Sequence, residues 1–379
     1  MSPSGNPGLE DFLRQHARRR EDLGLVRTLT PRRPSQGLLD LAGNDYLGLL
    51  RHPHVIDSAV AAAREHGGGA GASRLVTGHL PLHDELEDAL AHHLCAPAAL
   101  VFSTGYHANL AALSALSDAS SLIVSDAHAH ASLIDGARLS RAHVEVARHN
   151  DVEHVATLLA QRGQRRALIV VESVYSVLGD AAPLVELVEL AQVHDATVIV
   201  DEAHGLGVVG QRGEGLVAAN GLAGHPRVVV TTTLSKALAA QGGAVLAGHR
   251  VREHLINAAR AFIYDTGLAP ASAGAALAAL QVLIRQPGLA AQVRTNAQLL
   301  AQACGIAPVA GAVLSVPMPG PAQALAAVER AAQAGVRIGC FRPPSTPDGD
   351  SRLRLTAHAD HSAADLAPAL AVLQEVTRG

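Results

Sequence analysis

The chain reads as an α/β protein: a large domain built on a mostly parallel sheet, followed by a smaller C-terminal α/β domain. Three observations predict this. Apolar, β-branched runs recur through the middle of the chain, each ending in small or polar residues and then giving way to a helical stretch, the pattern of a sheet covered on both faces. The 379 residues are 48% hydrophobic with a net charge of −4, enough for a sizeable core and two domains. After Gly248 the texture changes to long Ala-rich helical stretches with only two more strand-like runs. The expected divisions are an N-terminal helical segment over 1–43, a large domain over 44–248 and a small domain over 249–379.

Residues 9–23 form an amphipathic, Arg-rich helical pattern, with Arg18, Arg19 and Arg20 on a solvated face. Arg27 follows in an extended segment, 38–42 is a short strand, and Asn44 to Gly48 is a turn. Gly67 to Arg74 is a glycine-rich loop; no Gly-Lys-Ser/Thr follows it, so it is no nucleotide phosphate loop. A helix over 81–94 opens the main domain. Five strands then follow in register with five polar tips. Residues 99–103 lead to Thr104-Gly105-Tyr106, 121–125 to Asp126-Ala-His128-Ala-His130, and 167–171 to Glu172-Ser-Val-Tyr-Ser176. Residues 197–200 lead to Asp201-Glu202-Ala-His204, and 228–233 to Ser235-Lys236. Helices are expected over 151–161 and 184–194. Beyond 248, helices are expected over 251–262, 271–303 and 321–334, strands over 312–316 and 352–356, and an unusual loop over 341–349. Ligands of such sheets bind beyond the carboxyl ends of the strands, where the unusual polar residues of the middle of the chain fall.

Composition excludes several classes. The slightly acidic charge gives no sign of a nucleic-acid or membrane partner. Aromatic residues make up 2% with no Trp, so the core must be Ala, Leu and Val. Three scattered cysteines, Cys95, Cys304 and Cys340, argue for a reducing cytoplasm and against a disulfide framework or zinc site. Met1 to Pro7 lacks the apolar region of a signal peptide.

Of 30 basic residues only Lys236 is a lysine. Arginine can replace a merely solvated lysine, but it cannot become an amine nucleophile. Lys236 is therefore a candidate Schiff-base residue, or else a surface survivor. Asp201 ends a hydrophobic strand and either caps the next turn or pairs with a cofactor's protonated ring nitrogen. Thr104, Gly105 and Tyr106 form either a phosphate-binding helix start or an ordinary turn. His130 could stack on a flat cofactor, and Arg342 and Arg354 could clamp a carboxylate or be surface charge. Gly205-Leu-Gly207-Val-Val-Gly210 fits a dinucleotide fingerprint and follows a strand, but a poor helix former and no acid follow it. Asp201-Glu-Ala-His204 spells a helicase box without a partner phosphate loop.

Seven motifs stand in order: Asn44 to Gly48, Ser73 to Gly78, Ser125 to Ser132, Glu172 to Ser176, Asp201 to Gly205, Thr233 to Lys236, and Arg342-Pro-Pro-Ser-Thr-Pro. Together, over about 24–375, the chain resembles the α-oxoamine synthases of the fold-type-I transferases that use pyridoxal 5'-phosphate (PLP). The resemblance implies a PLP-dependent acyltransferase. Lys236 would carry the cofactor and then act as acid and base, and Asp201 would pair its ring nitrogen. His130 would stack on the ring, with His204 and Ser176 near its phenolic oxygen. Gly105 and Tyr106 would sit beside it, and Thr233 would bind its phosphate. Thr266 would reach the phosphate in a neighbouring subunit, implying a homodimer with shared sites. Arg27, Asn44, Arg342 and Arg354 would recognise carboxylates, and Ser73 would meet the site from the glycine-rich loop. The reaction implied is a decarboxylative condensation of L-alanine with a pimeloyl thioester of CoA or acyl carrier protein, or, as the alternative within the family, of glycine with acetyl-CoA. Ala129, Val177-Leu178, Asp265 and Gly267 depart from the family pattern.

Overall fold

The structure, a computed structural model, describes residues 8–29, 31, 37–343, 345–346 and 348–377. Met1 to Pro7, and Pro344 and Pro347 of the 341–349 loop, lie outside the described residues. The first half of the chain carries α1 (Leu9–Asp22), β1 (Leu39–Asp40), α2 (Pro53–His66), α3 (Pro81–His93), β2 (Ala98–Phe102), α4 (Gly105–Leu116), β3 (Ser121–Asp126), α5 (Ala131–Ser140), β4 (His143–Ala147), α6 (Val152–Ala160), β5 (Arg166–Glu172) and α7 (Leu184–Val193). Then come β6 (Ala196–Asp201), α8 (Leu216–Ala219), β7 (Val228–Thr233), β8 (Gly243–Ala247), α9 (His249–Ala258), α10 (Arg260–Ile263), α11 (Pro270–Arg285), α12 (Gly288–Cys304), β9 (Val313–Met318), α13 (Pro321–Gln333), β10 (Val336–Arg337), β11 (Gly339–Phe341), β12 (Ser351–Thr356) and α14 (Ala363–Thr377).

Seven strands make the main sheet in the order β2-β8-β7-β6-β5-β3-β4. Only β8 runs antiparallel to its neighbours. The all-apolar runs are explained by burial on both faces, and alternate residues of each strand enter different cores. Ile123, Leu168, Val170, Ile199 and Val229 meet α4, α5, α9 and α10 on one side. Leu122, Ile169, Val171, Val198 and Val200 face the larger core on the other. Two strands of this sheet were not expected, nor were the short β10 and β11 beyond it. The edge strand β4 has an alternating, largely exposed sequence, and β8 is Gly- and Ala-rich, so neither carries the buried β-branched signal. The helix expected over 251–262 is broken at Ala259, which is extended (ψ 108°).

The C-terminal region adds an antiparallel sheet, β11-β12-β9, packed against α12 and α13, on which α14 rests. The parallel pair β1–β10 joins the N-terminal segment to this unit. Thr356 N donates to Leu41 O at 2.8 Å and Ala359 N to Tyr46 O at 2.7 Å, so the 41–48 segment is fixed between the two sheets.

Candidate active site

The tips of the central strands converge. β5 and β6 pair so that Glu172 lies opposite Asp201. β7 ends at Thr233, and the loop to β8, closed by Leu234 N donating to Gly242 O (3.0 Å), presents Lys236. α4 starts at Gly105 immediately after β2, with the Thr104 side chain accepting from His107 N. The approach of α4 to β7 and β8 tolerates no side chain: a Cβ on Gly105 would sit 2.8 Å from Thr233 Cβ, and one on Gly243 only 2.4 Å from Gly105 N. The result is a cavity of about 250 Å³ floored by Asp201, Glu172 and His204, with Gly105, Thr233 and Lys236 on its wall.

Asp201 is held from two sides. Its Oδ2 accepts from Asn109 Nδ2 at 2.7 Å and its Oδ1 from Ala203 N at 2.9 Å. Asn109 also donates to Ser132 Oγ (2.8 Å), which lies 2.7 Å from His130 Nδ1. Lys236 Nζ lies 2.7 Å from His204 Nε2, and His204 Nδ1 lies 2.6 Å from Tyr46 OH. Tyr46 OH donates to Asn44 Oδ1 at 3.2 Å, and the Arg354 guanidinium donates to the same oxygen at 3.3 and 3.4 Å. The directions of this chain follow from its ends. Arg354 can only donate, so Asn44 Oδ1 accepts, and a Tyr46 proton committed to Asn44 leaves Tyr46 oxygen to accept from His204 Nδ1–H. His204 Nε2 is then a lone pair facing Lys236.

Electrostatics agree. Burial, and then the Lys236 and Arg354 charges, hold His204 well below the usual histidine value, so it is neutral. Burial likewise lowers His130. Burial brings Lys236 down to about 8 against the opposing pull of Asp201 and Glu172. It raises Tyr46 to about 12 and Glu172 to about 8, the latter helped by the neighbouring Asp201 charge.

A second chamber of about 610 Å³ shares His130, His204 and Lys236 with the first and is lined further by Arg27, Asn44, His128, Ser176 and Arg354. Arg354 is anchored there by Nε donating to Ser176 O at 2.8 Å, and Arg27 donates to Ser345 Oγ at 2.8 Å. Lys236, Asp201, His130, His204, Gly105, Tyr106 and Thr233 thus line the inner cavity, and Arg27, Asn44, Ser176 and Arg354 the outer one. Arg342, Ser73 and Thr266 line neither. Arg342 donates to Gly24 O at 2.5 Å. The Ser73 loop meets the Thr266 segment, Gly267 N donating to Ala72 O at 3.0 Å, and Thr266 is exposed. The Gly205–Gly210 stretch is a turn, and the next helix, the four-residue α8, begins only at Leu216, so no helix opens on these glycines as a dinucleotide site requires.

The family model for aminotransferases of class I and II matches residues 36–373. The chain belongs to this family. It is 57% identical over 94% of both chains to an 8-amino-7-oxononanoate synthase of Mycolicibacterium gilvum, and 55% identical over 94% of both chains to that of Mycolicibacterium smegmatis. Among solved structures it is similar to the serine palmitoyltransferase of Sphingomonas wittichii (TM-score 0.91, 31% identity, 98% of both chains). It is also similar to the 8-amino-7-oxononanoate synthase of Francisella tularensis (TM-score 0.77, 25% identity, 90% of this chain and 98% of that one). These likenesses establish the α-oxoamine synthase resemblance and the fold-type-I architecture.

Several members of this family site escaped the sequence reading. Glu172 ends a strand as Asp201 does, and that shared position was the available signal. Tyr46 carried a signal too, as one of only four tyrosines. Asn109 and Ser132 lie inside helices, on ordinary polar positions. Beside the outer chamber, His149 bridges Asp126 (2.8 Å) and Asp180 (2.7 Å) and stacks on His128 with ring centroids 3.7 Å apart. Burial opposes its charge, but the two carboxylates win and raise it to about 9. A folded value above the unfolded one means that the contribution is complete below the unfolded value of ~6.5 and is lost as pH rises through about 9. With screening at its exposed edge, wild type should lose about 2 kcal/mol more than His149→Gln between these limits. Urea midpoints of the two proteins across this range are the measurement. A constant difference between them would show that His149 is uncharged in the folded protein.

Proposed function

We propose that this protein is an 8-amino-7-oxononanoate synthase of biotin biosynthesis, condensing L-alanine with a pimeloyl thioester and releasing carbon dioxide. The observation that carries the reading is the buried contact of Lys236 Nζ with a neutral His204, 2.7 Å long, beside the paired strand tips of Asp201 and Glu172. The names of the relatives supply the substrate pair.

Pyridoxal 5'-phosphate fits the residues present. The inner cavity offers an amine to attach its aldehyde (Lys236) and a doubly hydrogen-bonded carboxylate for its ring nitrogen (Asp201). For its phosphate it offers a helix start at Gly105 and Tyr106 with Thr233 opposite. The close packing at Gly105 leaves backbone N–H groups, not a side chain, at that wall. When bound, the cofactor supplies an electron sink for charge developing on the amino acid's Cα.

The chain's own residues do the rest. Asp201 would hold a proton on the ring nitrogen. Lys236 Nζ, lowered by burial to about 8, takes the Cα proton of alanine as the free amine and later returns one. His204 Nε2 accepts from Nζ, so the amine is aimed without a second positive charge beside it. Arg354, with Asn44, recognises a carboxylate, and Arg27 lines the chamber that takes the acyl chain. Ser176 approaches the site through the backbone group that holds Arg354.

The protein assembles, in this reading, as a homodimer in the cytoplasm. The Ser73 and Thr266 segments meet each other away from the chain's own cavity, and Val76 (75% exposed) and Tyr264 (72% exposed) surround them with apolar surface. Thr266 then serves the partner's phosphate site. Acyl carrier protein is a further candidate thioester donor. Among the described residues no helix is long and apolar enough to cross a membrane.

Product analysis tests the activity. Purified protein given L-alanine and pimeloyl-CoA should release CoA and form 8-amino-7-oxononanoate. Faster turnover of glycine with acetyl-CoA, or of L-serine with palmitoyl-CoA, would overturn the substrate assignment. Asp201→Asn isolates the role of the acid. Asn preserves shape and the Ala203 contact but supplies no charge. The loss should exceed one charge-assisted hydrogen bond, roughly 1.5–3 kcal/mol, so exchange of the alanine Cα proton should fall at least several tens-fold. Near wild-type exchange by the PLP-loaded variant would make Asp201 structural. Sedimentation should give a dimer; a fully active monomer would refute the shared site.

A further inference from the structure

Along the 43–48 segment lies another cavity, of about 390 Å³, lined by Asp40, Asp45, Ser235, His358, Asp360 and His361 among others. Among the described residues, His358, Asp360 and His361 bring one donor atom each within 4.8 Å of one another. The active-site chemistry uses none of them.

The two imidazoles are prepared in a specific way. His358 is buried (5% exposed), and its Nε2 lies 3.1 Å from Gly43 O and 3.3 Å from Thr356 Oγ1. A carbonyl can only accept, so Nε2 carries the hydrogen and Nδ1 is left as a lone pair. Ligating histidines in metalloproteins are oriented in this manner, with the second ring nitrogen donating to a backbone carbonyl. His361 Nδ1 is buried and has no hydrogen-bond partner, a costly state for a polar atom unless something binds it. The two rings lie parallel, 7° apart in plane with centroids 4.9 Å apart, so both present edges to the same space. Asp360 has room because position 48 is glycine: with φ of +70°, a Cβ there would meet the Asp360 carboxylate carbon at 2.3 Å.

We propose that His358, Asp360 and His361 form a binding site for a zinc-type divalent cation on the segment that follows β12. Two imidazoles and one carboxylate are a donor set that zinc accepts, with a further position left for water.

The test uses untagged, PLP-loaded protein, stripped with a chelator and titrated with Zn²⁺ by calorimetry. One ion per chain should bind, and the melting temperature should rise with occupancy. His361→Ala and Asp360→Asn lie outside the catalytic machinery. Each should retain the cofactor absorbance and weaken Zn²⁺ binding by at least about tenfold, since even outer-shell partners cost that much. Stripped protein titrated with Co²⁺ should also develop ligand-field absorption that both variants lack. Zn²⁺ binding that is equally tight in wild type and in the Asp360→Asn/His361→Ala double variant would assign the metal to other surface histidines and overturn the site. So would the absence of any binding by the wild type.

Discussion

The structure turns on an amine removed from water without a carboxylate of its own. Lys236 Nζ contacts a neutral imidazole, not an acid. A direct salt bridge to Asp201 would hold the amine protonated and occupy the carboxylate that a ring nitrogen needs. Contact with His204 instead avoids both costs. The residual charges are then set by distance and burial. Glu172, opposite Asp201 in the sheet, is pushed up to about 8, chiefly by burial. One of the two adjacent acids therefore gives up its charge readily, as like charges in a shared site require.

Parallel topology explains why these groups can be so close. β5, β6 and β7 are neighbours that run the same way, so their carboxyl ends deliver Glu172, Asp201 and Lys236 to one edge. The core beneath them is built from small side chains, with few aromatics. Such a core gains its cohesion from many close contacts, and the tight passage of Gly105 between Thr233 and Gly243 is one of them. The backbone of a helix start is thereby brought to the cavity wall without a side chain in front of it.

The sequence made the strand tips legible because each is a change of polarity within two residues. It made Lys236 legible because no other lysine competes. It did not reveal β8 or β4, since a Gly- and Ala-rich central strand and an exposed edge strand lack the buried β-branched run that marks the others. Glu172 was in view but had no assigned part, because the pairing with Asp201 depends on strand order, which no local pattern encodes. Tyr46 was missed for a related reason. Its partner His204 is distant in sequence, and only the fold brings the phenol to the imidazole at 2.6 Å. Arg342 shows the opposite case: an unusual motif made it a candidate, while the fold turns its guanidinium toward Gly24 O.

The groups proposed to react and to recognise a carboxylate come from different sheets. Asp201 ends β6 and Lys236 follows β7 of the seven-stranded sheet, whereas Arg354 rides on β12 of the three-stranded one. Asn44 is the joint. It accepts from Arg354 and from Tyr46, and Tyr46 reaches His204 and through it the amine. The segment bearing Asn44 and Tyr46 is itself tied to the end of β12 by Thr356 and Ala359. Any shift of β12 on engaging a carboxylate is therefore carried by direct hydrogen bonds to the group that aims Lys236. A carboxylate held by Arg354 competes for the guanidinium protons that Asn44 now receives. Weakening that bond would free Asn44 Oδ1 to hold Tyr46 more strongly, which fixes the His204 tautomer that leaves Nε2 open to the amine.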